Sequence, residues 1–483
     1  MSRKVLYALI AVSAWLLGVC WAIASPVGSS PDDDFHLVSI YCSAADDALC
    51  RDLDGEGPGT EVEVESQLRG QTCYAFNSEQ SAECTQALAD GELVVTDRYN
   101  HTGEYPGTYY RVMSLFASED VPAAVLTMRV VTLTVVLLAF ALAVVASPLL
   151  RDSQLIAWSV ASVPLGIFLF ASTNPSAWAT AGVAAMWPAG FALVHASNGR
   201  QLALAGAAAL VAGVLATARS DTAGMAAGVL GLVLIAYARS RAQLRAGLVI
   251  VALIVVLGLV FLASGGTGAV SSDTSEPKRA LWSNIVNLPH LFMGVFGVDR
   301  GLGWLDTAMP GLVWVPMVGA AAALMVIGIG VLRLPRGIVL AGVLFAAALY
   351  PLATLYLSGA GPVVWFQPRY VLPLLLALVG VALSPEQGFA WRLSNPQRWT
   401  LTVCVAVAAA VAFHVNLRRY VTGTDAMSLN LNDGSEWSYF TSLSPMVLWL
   451  LASVAGAVLF SSVLALVRAP RETSLLPGTP RNG

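Results

Sequence analysis

The stretch Ser29-Ser30-Pro31-Asp32-Asp33-Asp34-Phe35-His36 sets three adjacent carboxylates and an imidazole close together. Like charges side by side repel, so at least one of these acids is expected to have a raised pKa or a bound cation. A carboxylate in that state is a candidate general base, able to take a proton from a substrate hydroxyl. Asp32 is the first candidate. Asp33 or His36 would orient it, His36 by sharing a helix face with it at i, i+4. Asp32 and Asp34 also have the Asp-x-Asp spacing that suits a divalent cation. The plainer reading is a solvated acidic turn, since Ser-Ser-Pro-Asp is ordinary loop and N-cap chemistry.

A second set of reactive groups is arginine. Arg369 stands among aromatics in Gly359-Ala360-Gly361-Pro362-Val363-Val364-Trp365-Phe366-Gln367-Pro368-Arg369-Tyr370. Arg418 and Arg419 open the last loop, and Arg219 lies two residues before Asp221. Arginines gathered at the outer ends of apolar segments need an anion, and phosphate matches the guanidinium fork. Snorkelling to lipid headgroups is the alternative for Arg418 and Arg419. For Arg219 and Asp221 it is a plain surface ion pair.

These residues must be positioned by a membrane bundle. With 57% hydrophobic and 12% charged residues, the chain has about half the charge of a soluble protein. Charges fall in short breaks between apolar runs long enough for a bilayer core of about 30 Å. Twelve spans are expected: 5–24, 124–146, 154–172, 176–196, 202–218, 222–238, 246–263, 311–332, 337–357, 371–383, 399–417 and 445–467. The tenth is short and is expected to begin earlier, around Trp365. The organisation is a first span (1–24), an outer loop (25–123), spans two to seven (124–263), a second outer loop (264–310), spans eight to twelve (311–467, with outer loops 358–370 and 418–444) and a tail (468–483).

Basic residues set the orientation. With the N-terminus inside, fourteen of the 26 Lys and Arg but only three of the 30 acids fall on the cytoplasmic side. Both termini are therefore expected in the cytoplasm of a plasma-membrane protein, with the large loops outside. Ala22-Ile23-Ala24 resembles a cleavage site, but the run from Val5 to Ala24 is long enough to span, so a retained anchor is expected.

Cys42, Cys50, Cys73 and Cys84 share the first outer loop, where oxidising conditions permit disulfides; nearest-neighbour pairing is expected. No spacing suggests zinc. Residues 44–65 read as irregular, and Leu93-Val94-Val95-Thr96 as a strand in a small cystine-stapled cap. Tyr105 to Met113, including Tyr109 and Tyr110, reads as an interfacial helix that grips a lipid-linked substrate or serves as an aromatic anchor. Pro277 to Val298, with Trp282 and His290, reads as an amphipathic segment interrupted at Pro289. It leads to Gly303-Trp304-Leu305-Asp306-Thr307, where Trp304 and Asp306 mark a capped helix start or a site wall. No Walker or Rossmann glycine pattern is present, so nucleotide-driven chemistry is not expected, nor is a nucleic-acid partner.

Pro31-Asp32-Asp33-Asp34-Phe35-His36 resembles the Pro-Asp-Glu-x-x-His that follows the first span in the predicted membrane proteins called domain of unknown function 2142. Asn174-Pro175-Ser176, Gly303-Trp304-Leu305-Asp306-Thr307, Arg369-Tyr370-Val371-Leu372-Pro373 and Arg418-Arg419-Tyr420 resemble that family in the same order. The resemblance implies a relationship to GT-C glycosyltransferases, multispanning enzymes that take a sugar from a polyprenyl-phosphate carrier. It also implies that Asp32 is the catalytic acid. The chain departs from the pattern with Asp33 in place of Glu and Asp34 in place of a neutral residue.

The expected function is transfer of a sugar from a polyprenyl phosphate to an envelope glycan or lipid. Asp32 would be the base, and Arg369, with Arg418, Arg419 or Arg219, would hold the phosphate. Tyr109, Tyr110, Asn174, His290, Trp304, Asp306 and Tyr370 complete the expected substrate site. The rivals are a flippase or transporter of lipid-linked sugars and a non-catalytic assembly protein. Ion coupling is disfavoured because no acid lies inside the twelve predicted spans.

Overall fold

The computed structural model describes residues 2–53, 60–88, 91–263, 277–299, 301–357, 363, 366–386, 391–437 and 442–467. The protein is an all-α polytopic membrane protein with one small sheet. Its helices are α1 (Arg3–Ile23), α2 (Asp33–Cys42), α3 (Thr108–Met113), α4 (Val121–Ala146), α5 (Arg151–Ala161), α6 (Leu165–Phe170), α7 (Ser176–His195), α8 (Gly199–Ala216), α9 (Ser220–Tyr237) and α10 (Arg241–Ala263). They continue with α11 (Pro277–Gly294), α12 (Gly311–Gly328), α13 (Leu334–Leu357), α14 (Leu372–Leu383), α15 (Asn395–Val421) and α16 (Pro445–Ala465).

Among the described residues ten helices are long and apolar enough to cross a membrane. The other two expected spans differ in form. The third is broken into α5 and α6 around Pro164, which has no N–H to continue a helix. The tenth is α14 alone, whose twelve residues rise only about 18 Å. It does not extend back towards Trp365, which lies outside the described residues. A 3-10 turn, Pro368–Tyr370, precedes it instead, and that turn carries Arg369.

The bundle is built on α7, in which every residue from Ser176 to Gly190 is buried. It packs against α8, α9, α4 and α14. Small residues make this possible: a Cβ at Gly182 would come within 2.4 Å of the Ala216 backbone nitrogen. On the other side α1 lies between α4 and α16, and α15 between α12 and α16. A capping box of Ser394 and Gln397, with Pro396 in the first turn, starts α15.

Above the bundle the cap contains an antiparallel sheet, β1 (Cys50–Asp52), β2 (Val62–Glu65) and β3 (Leu93–Thr96), in that order. The strand at 93–96 is as expected. The stretch 44–65, expected to be irregular, supplies the other two strands: β1 pairs with β2, and β2 with β3 in a long-range pairing that local pattern does not show. Cys42 bonds Cys50 and Cys73 bonds Cys84. The first bond ties the C-terminal end of α2 to β1. The second amphipathic segment runs through Pro289 as one helix, α11, rather than breaking there. Trp282 faces outwards from α11, while Leu291, Val295 and Phe296 of this segment are buried.

Closing a loop of about ten residues stabilises a fold by about 2–3 kcal/mol in the chain-entropy account. The double substitution Cys42→Ser with Cys50→Ser is therefore expected to lower the melting temperature of the purified protein. An unchanged melting curve would mean that the cap does not depend on that bond.

Candidate functional site

Asp32 lies at the N-terminus of α2, with left-handed backbone angles φ 62° and ψ 19°. A non-glycine residue held there costs about 1–3 kcal/mol, and such residues cluster at functional sites. The carbonyl of Pro31 accounts for how it is held: it accepts from Arg369 Nη1 (3.0 Å) and from Asn174 Nδ2 (2.9 Å). Asn174 is itself fixed at the entrance to α7, where its Oδ1 accepts from the Ser176 N–H at 2.9 Å. The Asp32 carboxylate forms an ion pair with Arg369. Its side chain is 33% exposed against 3% for Arg369, so it is the accessible member of the pair. Burial raises the pKa of Asp32, but the charge and hydrogen bond of Arg369, with Arg98 further off, outweigh it and hold the carboxyl below the usual range.

The three neighbouring acids and histidine divide into distinct roles. Asp33 is buried and accepts from the Ser30 N–H (3.0 Å), the Ser30 hydroxyl and the Thr173 hydroxyl (2.9 Å). Burial raises its pKa against the pull of Arg129 and these donors. Asp33 thus secures the turn and does not orient Asp32 directly. Asp34 is held by Arg98, whose Nε and Nη2 donate at 3.0 and 3.2 Å. With Asp32 committed to Arg369 and Asp34 to Arg98, the pair does not fit the divalent cation expected from its spacing. Among the described residues no cluster of three or more His, Cys, Asp or Glu fits a metal. His36 is fully buried, its Nδ1 2.9 Å from the Tyr110 hydroxyl and its Nε2 without a partner. Burial pushes its pKa down to about 3, so it is neutral at physiological pH.

Beside this turn an aromatic face joins two guanidinium groups. Arg369 and Arg219 lie 5.1 and 4.5 Å from the centroid of the Tyr370 ring, and Arg369 Nη2 donates to the Tyr370 hydroxyl at 3.2 Å. Arg219 is bound by both oxygens of Asp221 at 3.0 Å. It is nearly buried rather than the surface pair expected as the plain alternative. Tyr105 covers the other side, 5.0 Å from His36 and 5.7 Å from Arg219. Asp32, Arg369, Arg219, Tyr370, Asn174 and His36 thus form one cluster.

Other expected site residues serve elsewhere. Arg419 donates to the carbonyls of Tyr74 (2.7 Å) and Gln80 and to Asp306 (2.7 Å), so it clamps the cap to the bundle, and its side chain, 1% exposed, is closed to a phosphate from outside. Arg418 donates to the Ala426 carbonyl at 2.7 Å. Trp304 donates to the Gly28 carbonyl at 2.8 Å, and Asp306 also accepts from Thr307 at 2.9 Å. They form a clasp in a tight hairpin and do not start α12, whose N-cap is Pro310. Tyr109 and Tyr110 are buried and offer no ring to lipid. Tyr109 packs edge-on against Trp178, centroids 5.1 Å apart. His290 pairs with Asp299 at the surface and does not reach Asp32 through any of its bonds.

The residue with the largest role outside the expected site is Arg129. Buried in α4, it donates to the carbonyls of Ala22, Ser25 and Pro26 and to the Ser29 hydroxyl. It thereby folds the segment between α1 and Asp32. Its signal was a lone arginine in an apolar span, which is costly unless used. Arg98 was missed; it is a basic residue in a largely acidic loop.

A family model whose description is predicted membrane protein, domain of unknown function 2142, matches residues 15–378. No significant match is found among curated proteins or solved structures.

Because His36 is neutral when folded down to about pH 3 but titrates near 6.5 when unfolded, the unfolded chain binds the extra proton between these values. Stability from this group is complete above 6.5 and falls by about 1 kcal/mol per pH unit below it. Thermal unfolding from pH 7 to 5 should show this loss, and His36→Gln should flatten it; equal slopes in both proteins would count against a buried neutral imidazole.

Proposed function

The chain belongs to the domain of unknown function 2142 family of predicted membrane proteins, and from that premise we propose that it is a GT-C-type glycosyltransferase. It would move a sugar from a polyprenyl phosphate to a hydroxyl of an envelope glycan or lipid. The site would face outwards from the plasma membrane, with both termini in the cytoplasm. The observation that carries the reading is the Asp32–Arg369 ion pair, in which an accessible carboxylate adjoins a buried guanidinium.

The chemistry is a displacement at the anomeric carbon. The acceptor oxygen forms a bond to that carbon as the bond to the phosphate oxygen breaks, and the acceptor proton passes to Asp32. The leaving polyprenyl phosphate takes the electron pair, and Arg369, with Arg219 across the Tyr370 ring, stabilises the charge it gains. A carboxylate paired with arginine is a weak base. When the donor phosphate engages Arg369, the pairing with Asp32 weakens, its pKa rises and its basicity increases at the moment of need.

The prenyl chain has a seat near this cluster. A cavity of about 410 Å³ lies between α9, α13 and α14, lined by Gly224, Gly228, Val343, Ala346 and Leu374 among others. Gly224 is one turn along α9 from Asp221. Ala346 is one turn before Tyr350 in α13, whose hydroxyl donates to Asp221. The cavity replaces Tyr109 and Trp282 as the place where the lipid would lie.

In purified full-length protein supplied with a polyprenyl-phosphate sugar and acceptor, Asp32→Asn is expected to reduce transfer by about 10²–10⁴-fold. Arg369→Lys, which keeps the charge but loses the fork, should also be impaired. Normal transfer by Asp32→Asn would rule out Asp32 as the base. A Gly228→Leu variant, whose added atoms enter open space at that position, should raise the donor KM more than it lowers kcat. Unchanged kinetics would remove the cavity from the donor path.

A further inference from the structure

A second and larger cavity, about 740 Å³, opens between α1, α4, α5 and α6. It reaches the opposite end of the bundle from Asp32: Tyr7, in the second turn of α1, lines it together with Arg151 at the start of α5. Its walls are otherwise mainly apolar, with Leu137 and Phe140 of α4 prominent. Its volume falls within the roughly 300–1,000 Å³ of ordinary ligand sites.

Two features distinguish it from a packing defect. Trp158 and Ser162 both line the cavity, each only 4% exposed, and among the described residues neither the indole N–H nor the serine hydroxyl has a hydrogen-bond partner. They lie one turn apart on one face of α5 and its end. Buried donors without an acceptor cost free energy, and a ligand oxygen would remove that cost. The second feature is charge. Among the described residues Arg151 has no carboxylate partner: its Nε donates to the Val144 carbonyl at 3.3 Å and it lies 5.4 Å from the Tyr7 ring centroid, while the adjacent Asp152 pairs with Arg3. An uncompensated arginine at the mouth of an interhelical cavity suits an anionic headgroup.

We propose that this cavity binds an anionic diacyl phospholipid of the leaflet on the Arg151 side. The headgroup phosphate pairs with Arg151, an ester carbonyl accepts from Trp158, and the acyl chains fill the apolar space beyond it. Ester oxygens decide the class, because the hydrocarbon of a polyprenyl phosphate carries no acceptor below its headgroup. The site is separate from the proposed donor path, so it holds whether or not the protein transfers sugar.

The test is lipid retention by the full-length protein, measured by native mass spectrometry after exchange into detergent containing equal phosphatidylglycerol and phosphatidylcholine. One phosphatidylglycerol should be retained in preference. Arg151→Gln should lower its retention about fivefold, as expected for one arginine at a membrane surface. Trp158→Phe, which keeps the ring stacked on Phe140, should lower retention as well, while Arg241→Gln on the exposed start of α10 should not. Equal retention of the two lipids, equal effects of Arg151→Gln and Arg241→Gln, or a retained polyprenyl phosphate in place of a diacyl lipid would overturn the proposal. A phosphatidylglycerol with a photoreactive acyl chain gives a measurement on the unaltered protein. Its crosslinks must map to α1, α4, α5 or α6, and labelling confined to other helices would refute the site.

Discussion

A guanidinium group inside a membrane protein must find oxygen atoms to bind, or the bundle around it will not form. In this protein that demand ties distant segments together. Arg129 of α4 gathers the carbonyls between α1 and Asp32. Arg369, before α14, takes the next carbonyl and the Asp32 carboxylate. Arg419, at the end of α15, draws in the cap and the hairpin that holds Asp306. The segment after the first span is thus gripped directly by Arg129 and Arg369, while Arg419 fixes the cap and hairpin from which Tyr74 and Trp304 bond the carbonyls of Val27 and Gly28. Removing one partner of such a buried pair is strongly destabilising, whereas the intact pair adds little. The arrangement therefore specifies geometry more than it adds stability.

This explains why acids that are neighbours in sequence behave differently. Asp32 faces the accessible side and is ionised against Arg369. Asp33 points inwards to neutral hydroxyl and amide donors, with burial raising its pKa. Asp34 turns to the cap and Arg98. Repulsion among the three is relieved by giving each its own partner rather than by a shared cation.

Composition and apolar run length were enough to read the bundle, because a membrane leaves a chain few ways to satisfy its backbone. All twelve expected spans correspond to helical segments, and both disulfides join the nearest cysteines. What remained hidden depended on contacts between distant residues. Nothing local in Val62–Glu65 announces its partner at Leu93–Thr96. Arg369 and Arg419 look alike as arginines among aromatics, yet one lies beside Asp32 and the other is buried against carbonyls and Asp306. Tyr109 and Tyr110 follow the pattern of an interfacial anchor, but α2, the cap and α4 cover them. Arg129 was visible as a charge in a span, and the cost of burying it was the clue to its importance.

The same geometry bears on how a carboxylate with a low pKa can act as a base. In the proposed transfer, Asp32 and the donor phosphate would compete for the same guanidinium fork, since both present oxygens to Arg369. Arg369 and Arg219 both lie against the Tyr370 ring, with Asp221 holding Arg219 in place. Binding of a phosphate would thus draw positive charge away from Asp32 just as an acceptor hydroxyl needs a proton acceptor. Without phosphate the carboxylate stays paired and weakly basic, which disfavours activation of water in its place. Under the proposed function, the ion pair would be the resting form of the site, its low basicity following from the same contact that would make the donor necessary for reaction.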